Sequence, residues 1–158
     1  MKGKYHFKVF SKTLLFEFDI KRNITFIQGN SATGKTTLLN MLYEYLMSGR
    51  GSGFTVETNA NFIVYLRRSL TATWEQELGQ LTNTIIFIEE NNRFVQRSDF
   101  TEFVKKSGNY FVFVNRKALK MLPYSVTEIY SLQNKYSEKT KKQVYTFRQR
   151  YPILMCTN

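Results

Sequence analysis

Apolar and polar residues alternate with a period of two over residues 4–20, where YHFKVF and LLFEFDI flank a polar break at residues 11–13. This alternation predicts two strands that form an antiparallel pair with one face against a core. The next run, ITFIQ at residues 24–28, is apolar almost throughout and is followed by Gly29. Such a run predicts a buried strand, so the chain is expected to begin with three strands.

Apolar residues then recur every three or four positions from Leu38 to Leu46, which predicts one face of a helix. The glycine-rich SGRGSG at residues 48–53 is expected to end it. Short apolar runs predict further strands at residues 62–66, 85–88, 110–114 and 126–132, and helices are expected around residues 73–80, 99–106 and 117–121. Strands alternating with helices predict an α/β fold, with a mostly parallel sheet flanked by helices and an N-terminal antiparallel β segment.

Composition indicates one domain, because 158 residues of which 42% are hydrophobic suffice for a single core. We expect this domain to cover residues 1–158, with residues 133–158 as a basic C-terminal extension. Twenty-three Lys and Arg against 12 Asp and Glu give a net charge of +11. This charge would attract polyanions such as nucleotides, nucleic acid or an anionic membrane surface. A compositional bias explains the same charge without any such partner, and both explanations stay open.

The lone Cys156 has no partner for an internal disulfide, which favours a reducing compartment. No run approaches about 18 apolar residues, so no membrane span is expected. The alternating N-terminus is a poor signal peptide, and a cytoplasmic protein is the simplest expectation. His6 is the single histidine, which excludes a histidine-rich metal site.

One motif carries specific chemistry. Residues 29–36, GNSATGKT, fit the phosphate-loop pattern G-x-x-x-x-G-K-[ST] between a buried strand and a helix. Glycines let successive backbone N–H groups point inward, and the helix N-terminus adds positive charge, so the segment can cradle an anion. Lys35 would reach the β and γ phosphates, and the Thr36 hydroxyl would bind Mg²⁺. The expected nucleotide-binding residues are Gly29, Asn30, Ser31, Ala32, Thr33, Gly34, Lys35, Thr36 and Thr37.

Two acids follow a second buried strand. In NTIIFIEE, residues 83–90, the strand runs directly into Glu89 and Glu90. The carboxyl ends of parallel strands face the ligand crevice, so both acids would emerge beside the phosphate loop. Our hypothesis assigns Glu89 to the metal and Glu90 to the polarisation of the attacking water. Solvated acids that close a buried strand are the alternative.

With these motifs in hand, the chain resembles P-loop NTPases, and over residues 4–132 its order of parts is most similar to the ATP-binding core of ABC-type ATPases. The resemblance implies Mg²⁺ and ATP as ligands, and it gives Asn115, which ends the strand after the acid pair, a role in sensing the γ phosphate or positioning water. Asn115 is alternatively a strand cap. The LSGGQ signature and the large helical insertion of that family are absent, which favours slow or partner-dependent hydrolysis. An adenine-stacking ring from the N-terminal β segment is also implied, and Tyr5 and Phe10 are the candidates, although core packing explains both.

Two further expectations concern the nucleotide. NRKA at residues 115–118 lacks the Asp of a guanine-reading loop, which favours ATP over GTP. Arg50 or Arg116 would serve as an arginine finger, unless each is an ordinary solvated cation.

Two other functions compete with an ATPase. A small-molecule kinase would use Arg67, Arg68, Arg93 and Arg97 as acceptor or lid residues. A non-hydrolysing, ATP-bound module would instead contact nucleic acid or protein through its basic C-terminal extension. The residues of interest there are Lys139, Lys141, Lys142, Arg148 and Arg150, with Tyr136 and Tyr145. A solvated hairpin whose lysines prevent aggregation explains the same residues. The oligomeric state stays open.

Overall fold

Nine strands form one continuous sheet in the computed structural model, which describes residues 1–29, 34–66, 74–89, 98–115 and 128–150. The strands are β1 Tyr5–Phe10, β2 Leu14–Ile20, β3 Ile24–Gln28, β4 Thr55–Glu57, β5 Asn61–Tyr65, β6 Thr84–Glu89, β7 Tyr110–Asn115, β8 Ile129–Ser137 and β9 Lys142–Arg150. The helices of the described part are α1 Lys35–Ser48, α2 Trp74–Leu78 and α3 Ser98–Lys106, and a 3₁₀ turn, Gly49–Ser52, follows α1. Across the sheet the order is β4-β1-β2-β9-β8-β3-β7-β6-β5.

The sheet is mixed. Five neighbouring strands, β8, β3, β7, β6 and β5, run parallel to one another. β9 is antiparallel to β8 and parallel to β2, whereas β1 is antiparallel to both β2 and β4. The β8–β9 hairpin therefore joins the parallel strands to the N-terminal antiparallel strands.

The sheet curls strongly into a half-barrel around α1. Leu38 and Leu42 of α1 are fully buried in one cluster with Phe7, Phe16 and Phe87. The Phe7 ring of β1 lies 5.6 Å from Phe87 of β6 and 5.7 Å from Phe62 of β5, although five strands separate β1 from β6 in the sheet order. Because twisted sheets of many strands tend to curl, the apolar concave face closes around one helix.

The other two helices cover the convex face of the parallel strands. Trp74 of α2 and Phe100 of α3 meet edge to face at 5.1 Å, and both belong to a second apolar cluster with Ile86 and Phe111. None of the described helices combines the length and apolar character needed to cross a bilayer.

The predicted α/β architecture, and with it the resemblance to P-loop NTPases and ABC-type cores, is wrong. Strands account for 47% of the described residues, in a curled mixed sheet with only three described helices, instead of a parallel sheet flanked by helices. The physical cause is the basic C-terminal segment, which was expected to extend from the domain. Its described residues, 133–150, supply the second half of β8 and all of β9, and these two strands lie between β3 and β2.

Several local features nevertheless match their patterns. The antiparallel pair is present as β1 and β2, with Tyr5 opposite Ile20. The strand expected at 126–132 is described from Ile129 and runs on to Ser137. The short helix expected at 117–121 lies outside the described residues.

A pH-dependent contribution to stability arises on the outer face of β1 and β2. His6 Nδ1 lies 2.6 Å from Asp19 Oδ1, and His6 Nε2 lies 2.7 Å from Glu17 Oε2. Hydrogen bonds to Asp19 and then Glu17 raise the pKa of His6 above 6.5, since both ring nitrogens donate only in the protonated form.

We therefore expect His6→Gln to lower the free energy of unfolding by less than about 1 kcal/mol, because the contacts of His6 with Asp19 and Glu17 are exposed to solvent. The difference in stability between the two proteins should have its full size below pH 6.5 and should vanish as the pH rises through the raised pKa of His6. Urea unfolding of both proteins across this pH range measures the difference. Glu17→Gln should move its disappearance to lower pH, and a pH-independent difference would contradict the assignment.

Candidate functional site

The glycine-rich loop connects the end of β3 to the start of α1. Gly29 follows β3 with φ of 147°, and Gly34 precedes α1 with φ of 99°. These backbone angles suit glycine because they lie where L side chains are disfavoured. Four of the predicted binding residues, Asn30, Ser31, Ala32 and Thr33, lie outside the described residues. The described ends of the loop place the α1 N-terminus beside the carboxyl end of β3, where a helix favours anions.

Lys35, the first residue of α1, turns back across the loop. Lys35 is only 6% exposed, and its Nζ donates a hydrogen bond to the Gly29 carbonyl oxygen. A buried ammonium needs polar partners, so the loop backbone holds this cation close to the loop. The ammonium therefore lies between the two ends of the segment predicted to hold phosphate.

The C-terminal hairpin reaches the same loop through Tyr145. The Tyr145 ring stacks on Phe16 with centroids 4.4 Å apart and planes inclined by 14°. A Cβ atom on Gly34 would lie 2.8 Å from Tyr145 Cε2, closer than real Cβ contacts. Gly34 therefore allows both the turn into α1 and the approach of this ring. The composition of the basic extension indicates Tyr145 as a ring for nucleic acid bases, whereas the alternation of VYTF at residues 144–147 is the signal that it faces the core.

Neighbouring strand ends place an acid and an amide residue near the loop. Gln28 of β3 pairs in register with Asn115 of β7, and Val114 of β7 pairs with Glu89 of β6. Because side chains alternate along a strand, Glu89 shares the face of Ile85 and Phe87, which is the concave face that α1 covers. β7 alone separates β3 from β6, so these ends lie about 10 Å apart.

A magnesium ion fits the chemistry of these residues. Thr36 and Thr37 are exposed in the first turn of α1, and Glu89 is half-buried at the end of β6. Within the described part of the chain, no group of three or more His, Cys, Asp and Glu side chains can hold a metal. Mg²⁺ does not need such a group, because it usually takes one or two protein ligands together with phosphate oxygens and water. Thr36 and Glu89 are the residues that would hold it, and Glu90 lies outside the described residues.

The two rings proposed to stack on adenine lie elsewhere. Tyr5 packs edge to face on Tyr110 at 5.9 Å, at the beginning of β7 and thus at the opposite end of the sheet from the loop. Phe10 adjoins the buried Val9 and points to the outer face, where Lys142 Nζ lies 4.8 Å from its ring centroid. Neither ring lies beside Gly34.

The proposed arginines also fall away from the loop. Arg50 belongs to the turn after α1, whose 14 residues span about 21 Å. Arg50 is therefore too distant to act as a finger on phosphate held at the start of α1. Outside the described residues lie Arg116 and the candidate acceptor residues of a kinase, Arg67, Arg68, Arg93 and Arg97.

The β8–β9 hairpin separates its rings from its cations. Tyr145 alternates in phase with Phe147, which packs on Phe18, so both face inward, and Tyr136 shares the face of the buried Leu132. Arg148 and Arg150 point outward. Lys139 and Lys141 lie at the turn of the hairpin, and Lys142 Nζ donates to the Ser11 carbonyl oxygen. Tyr145 and Arg148 lie on opposite faces of β9, so one nucleic acid strand cannot stack on Tyr145 while its phosphates contact Arg148. A nucleic acid partner stays a prediction, and it would have to be bound through its phosphates alone.

Comparison with protein-family models and with curated proteins found no match. The candidate site is therefore defined by the geometry of this chain: a glycine-rich loop, a buried lysine, two hydroxyls and an acid at one edge of the sheet.

Proposed function

We propose that the protein binds ATP with Mg²⁺ through residues 29–37 and hydrolyses it slowly or with a partner. One observation carries this proposal: the buried ammonium of Lys35 lies against the Gly29 carbonyl at the junction of β3 and α1. A lysine needed only for solubility would extend into water, as most lysines do. A buried lysine that contacts the backbone of Gly29, where a glycine-rich loop begins, is suited to an anionic ligand.

Binding would proceed by exchange of partners. Lys35 Nζ would leave the Gly29 carbonyl for phosphate oxygens, which carry more negative charge than a carbonyl. The first N–H groups of α1 have no helical partners of their own, and they would donate to the same anion. The positive charge of the loop would thus be neutralised by the ligand.

The remaining residues have roles in orienting the reaction. Thr36 and Glu89 would hold Mg²⁺, which when bound supplies positive charge to the phosphates. Glu90 would accept a proton from the attacking water, and Asn115 would position that water. The base preference for ATP follows from the sequence after Asn115, where Ala118 stands in place of a guanine-reading acid.

Two glutamine variants test this assignment. Glu90→Gln should keep ATP affinity but lower phosphate release by about 100-fold, because an amide cannot act as the base. Glu89→Gln should weaken binding only when Mg²⁺ is present. Both are measured by calorimetry and by phosphate release with the purified protein.

Glu44→Gln is the matched control, since Glu44 is an exposed acid on α1 outside its first turn. It should behave as the wild type in both assays. Absence of Mg²⁺-dependent ATP binding by the wild type would refute the proposed function. Transfer of phosphate to a nucleoside instead of water would support the kinase.

A further inference from the structure

The inner face of the β8–β9 hairpin rises beside the phosphate loop. We propose that this face is the nucleobase subsite, with Tyr145 as the ring on which the base stacks. The inference rests on the proposed function, because it concerns the part of the ligand that the loop does not hold. It also replaces Tyr5 and Phe10, which lie away from Gly34.

The first step is the reach of the hairpin. β3 pairs with β8 at Ile129 and Tyr130, yet β8 continues to Ser137. Ser131 comes level with Gln28, the last residue of β3, so the hairpin runs about 20 Å beyond the end of β3 at 3.3 Å per residue. The hairpin therefore projects beyond the carboxyl end of β3, and its Tyr145 lies against Gly34 at the start of α1.

The second step is the position of Tyr145 on this wall. One face of its ring lies on Phe16, which is fully buried, and its edge touches the position of Gly34. The ring itself is half-buried and keeps some exposure to solvent. Phe16 thus fixes the orientation of the Tyr145 ring before a ligand binds, so binding costs little side-chain entropy. An aromatic ring held in this way is the platform on which bases stack in nucleotide-binding proteins.

The third step is the polar neighbourhood of the ring. Asn134 lies directly opposite Tyr145 in register, and Gln143 Nε2 donates to Asn134 Oδ1 at 2.5 Å. All three side chains share the inner face. This hydrogen bond uses the Asn134 oxygen and the Gln143 nitrogen, so Asn134 Nδ2 can donate to a ligand and Gln143 Oε1 can accept from one. One donor and one acceptor match the N1 acceptor and N6 donor on the edge of adenine.

Comparison of two ligands isolates the base from the phosphates. Tyr145→Leu should weaken MgATP binding by about tenfold or more, because stacking is lost. The same variant should bind Mg-tripolyphosphate, which has no base, as tightly as the wild type. Tyr145→Phe should keep ATP affinity, since stacking needs the ring and not the hydroxyl. Isothermal calorimetry on the full chain gives all the constants.

Tyr5→Leu is the matched control, because Tyr5 is also partly buried against the same cluster but contacts Tyr110 at the opposite end of the sheet. It should leave both affinities unchanged. Unchanged tripolyphosphate binding by Tyr145→Leu also demonstrates that this variant is folded.

The outcomes distinguish the two proposals. Equal losses for ATP and tripolyphosphate, or no loss for ATP, would overturn the role of Tyr145 while leaving the phosphate loop in place. If the wild type bound MgATP no more tightly than Mg-tripolyphosphate, the adenosine would contribute no affinity, and the role of Tyr145 would again be overturned. A wild type that binds neither ligand would refute the proposed function and the subsite together.

Discussion

Replacement of Gly34 by alanine should lower the free energy of unfolding by about 3 kcal/mol. Two costs add. A φ of 99° is unfavourable for any residue with a Cβ, at about 1–2 kcal/mol. The new Cβ would also lie 2.8 Å from Tyr145 Cε2 and 3.2 Å from Cδ2, which forces the ring or α1 to move and costs about 1–3 kcal/mol. Urea unfolding measures the sum.

Gly53→Ala separates the two costs. Gly53 has φ of 86°, and a Cβ at this position would have no atom within 4 Å. This variant should therefore show only the backbone cost of about 1 kcal/mol. In a protein that already carries Tyr145→Leu, Gly34→Ala should lower stability by less than it does in the wild type, because the close contact is then absent. If Gly34→Ala and Gly53→Ala were equally destabilising, Tyr145 would not constrain the loop.

Lys35→Ala should weaken ATP binding by at least about 100-fold. Hydrogen bonds to charged groups contribute about 1.5–3 kcal/mol each, and the ammonium would meet more than one phosphate oxygen. Unlike the Tyr145 variant, Lys35→Ala should lose tripolyphosphate and ATP alike, because the lost contact is to phosphate. Calorimetry with both ligands measures the effect, and circular dichroism establishes that the variant is folded.

Lys106→Ala is the matched control for this change. Lys106 is an exposed lysine at the end of α3, and its removal lowers the net charge by the same amount. It should bind both ligands as the wild type does. Wild-type affinity in Lys35→Ala would mean that phosphate is not held by this loop, and the proposed function would fail with it.

Local features of the site were accessible from the sequence. The apolar run before Gly29 and the helical repeat after Gly34 correspond to β3 and α1, and the run before Glu89 corresponds to β6. Each depends on a pattern that is complete within a few residues. Motif spacing therefore placed the glycines, Lys35 and Thr36 at a strand-to-helix junction.

The aromatic ring that contacts the loop could not be predicted from local sequence patterns. The N-terminal β segment offers Tyr5 and Phe10 as stacking rings, whereas the ring that meets Gly34 comes from residue 145. More than 100 residues separate Gly34 from Tyr145 along the chain. No local pattern encodes such a contact, since it arises when β9 pairs with β2.

The fold prediction failed at the C-terminal segment for a related reason. Lysines and arginines in residues 133–150 suggest a solvated extension, yet Tyr145 and Phe147 pack against the core of the half-barrel. The cations occupy alternate positions that point outward. A strand with one polar face has the composition of an exposed segment, and only its alternation reveals the buried face.

The sequence by itself determined the strand-to-helix junction, the positions of its glycines and of Lys35, and the acid that ends β6. These follow from steric limits on backbone angles and from periodicities of two and 3.6 residues, which act over short distances along the chain. The tertiary structure alone decided that the sheet is mixed and curled, that α1 fills its concave face, and that Tyr145 adjoins the loop. Strand partners are selected by the burial of whole apolar faces, and that free energy depends on residues far apart in the sequence.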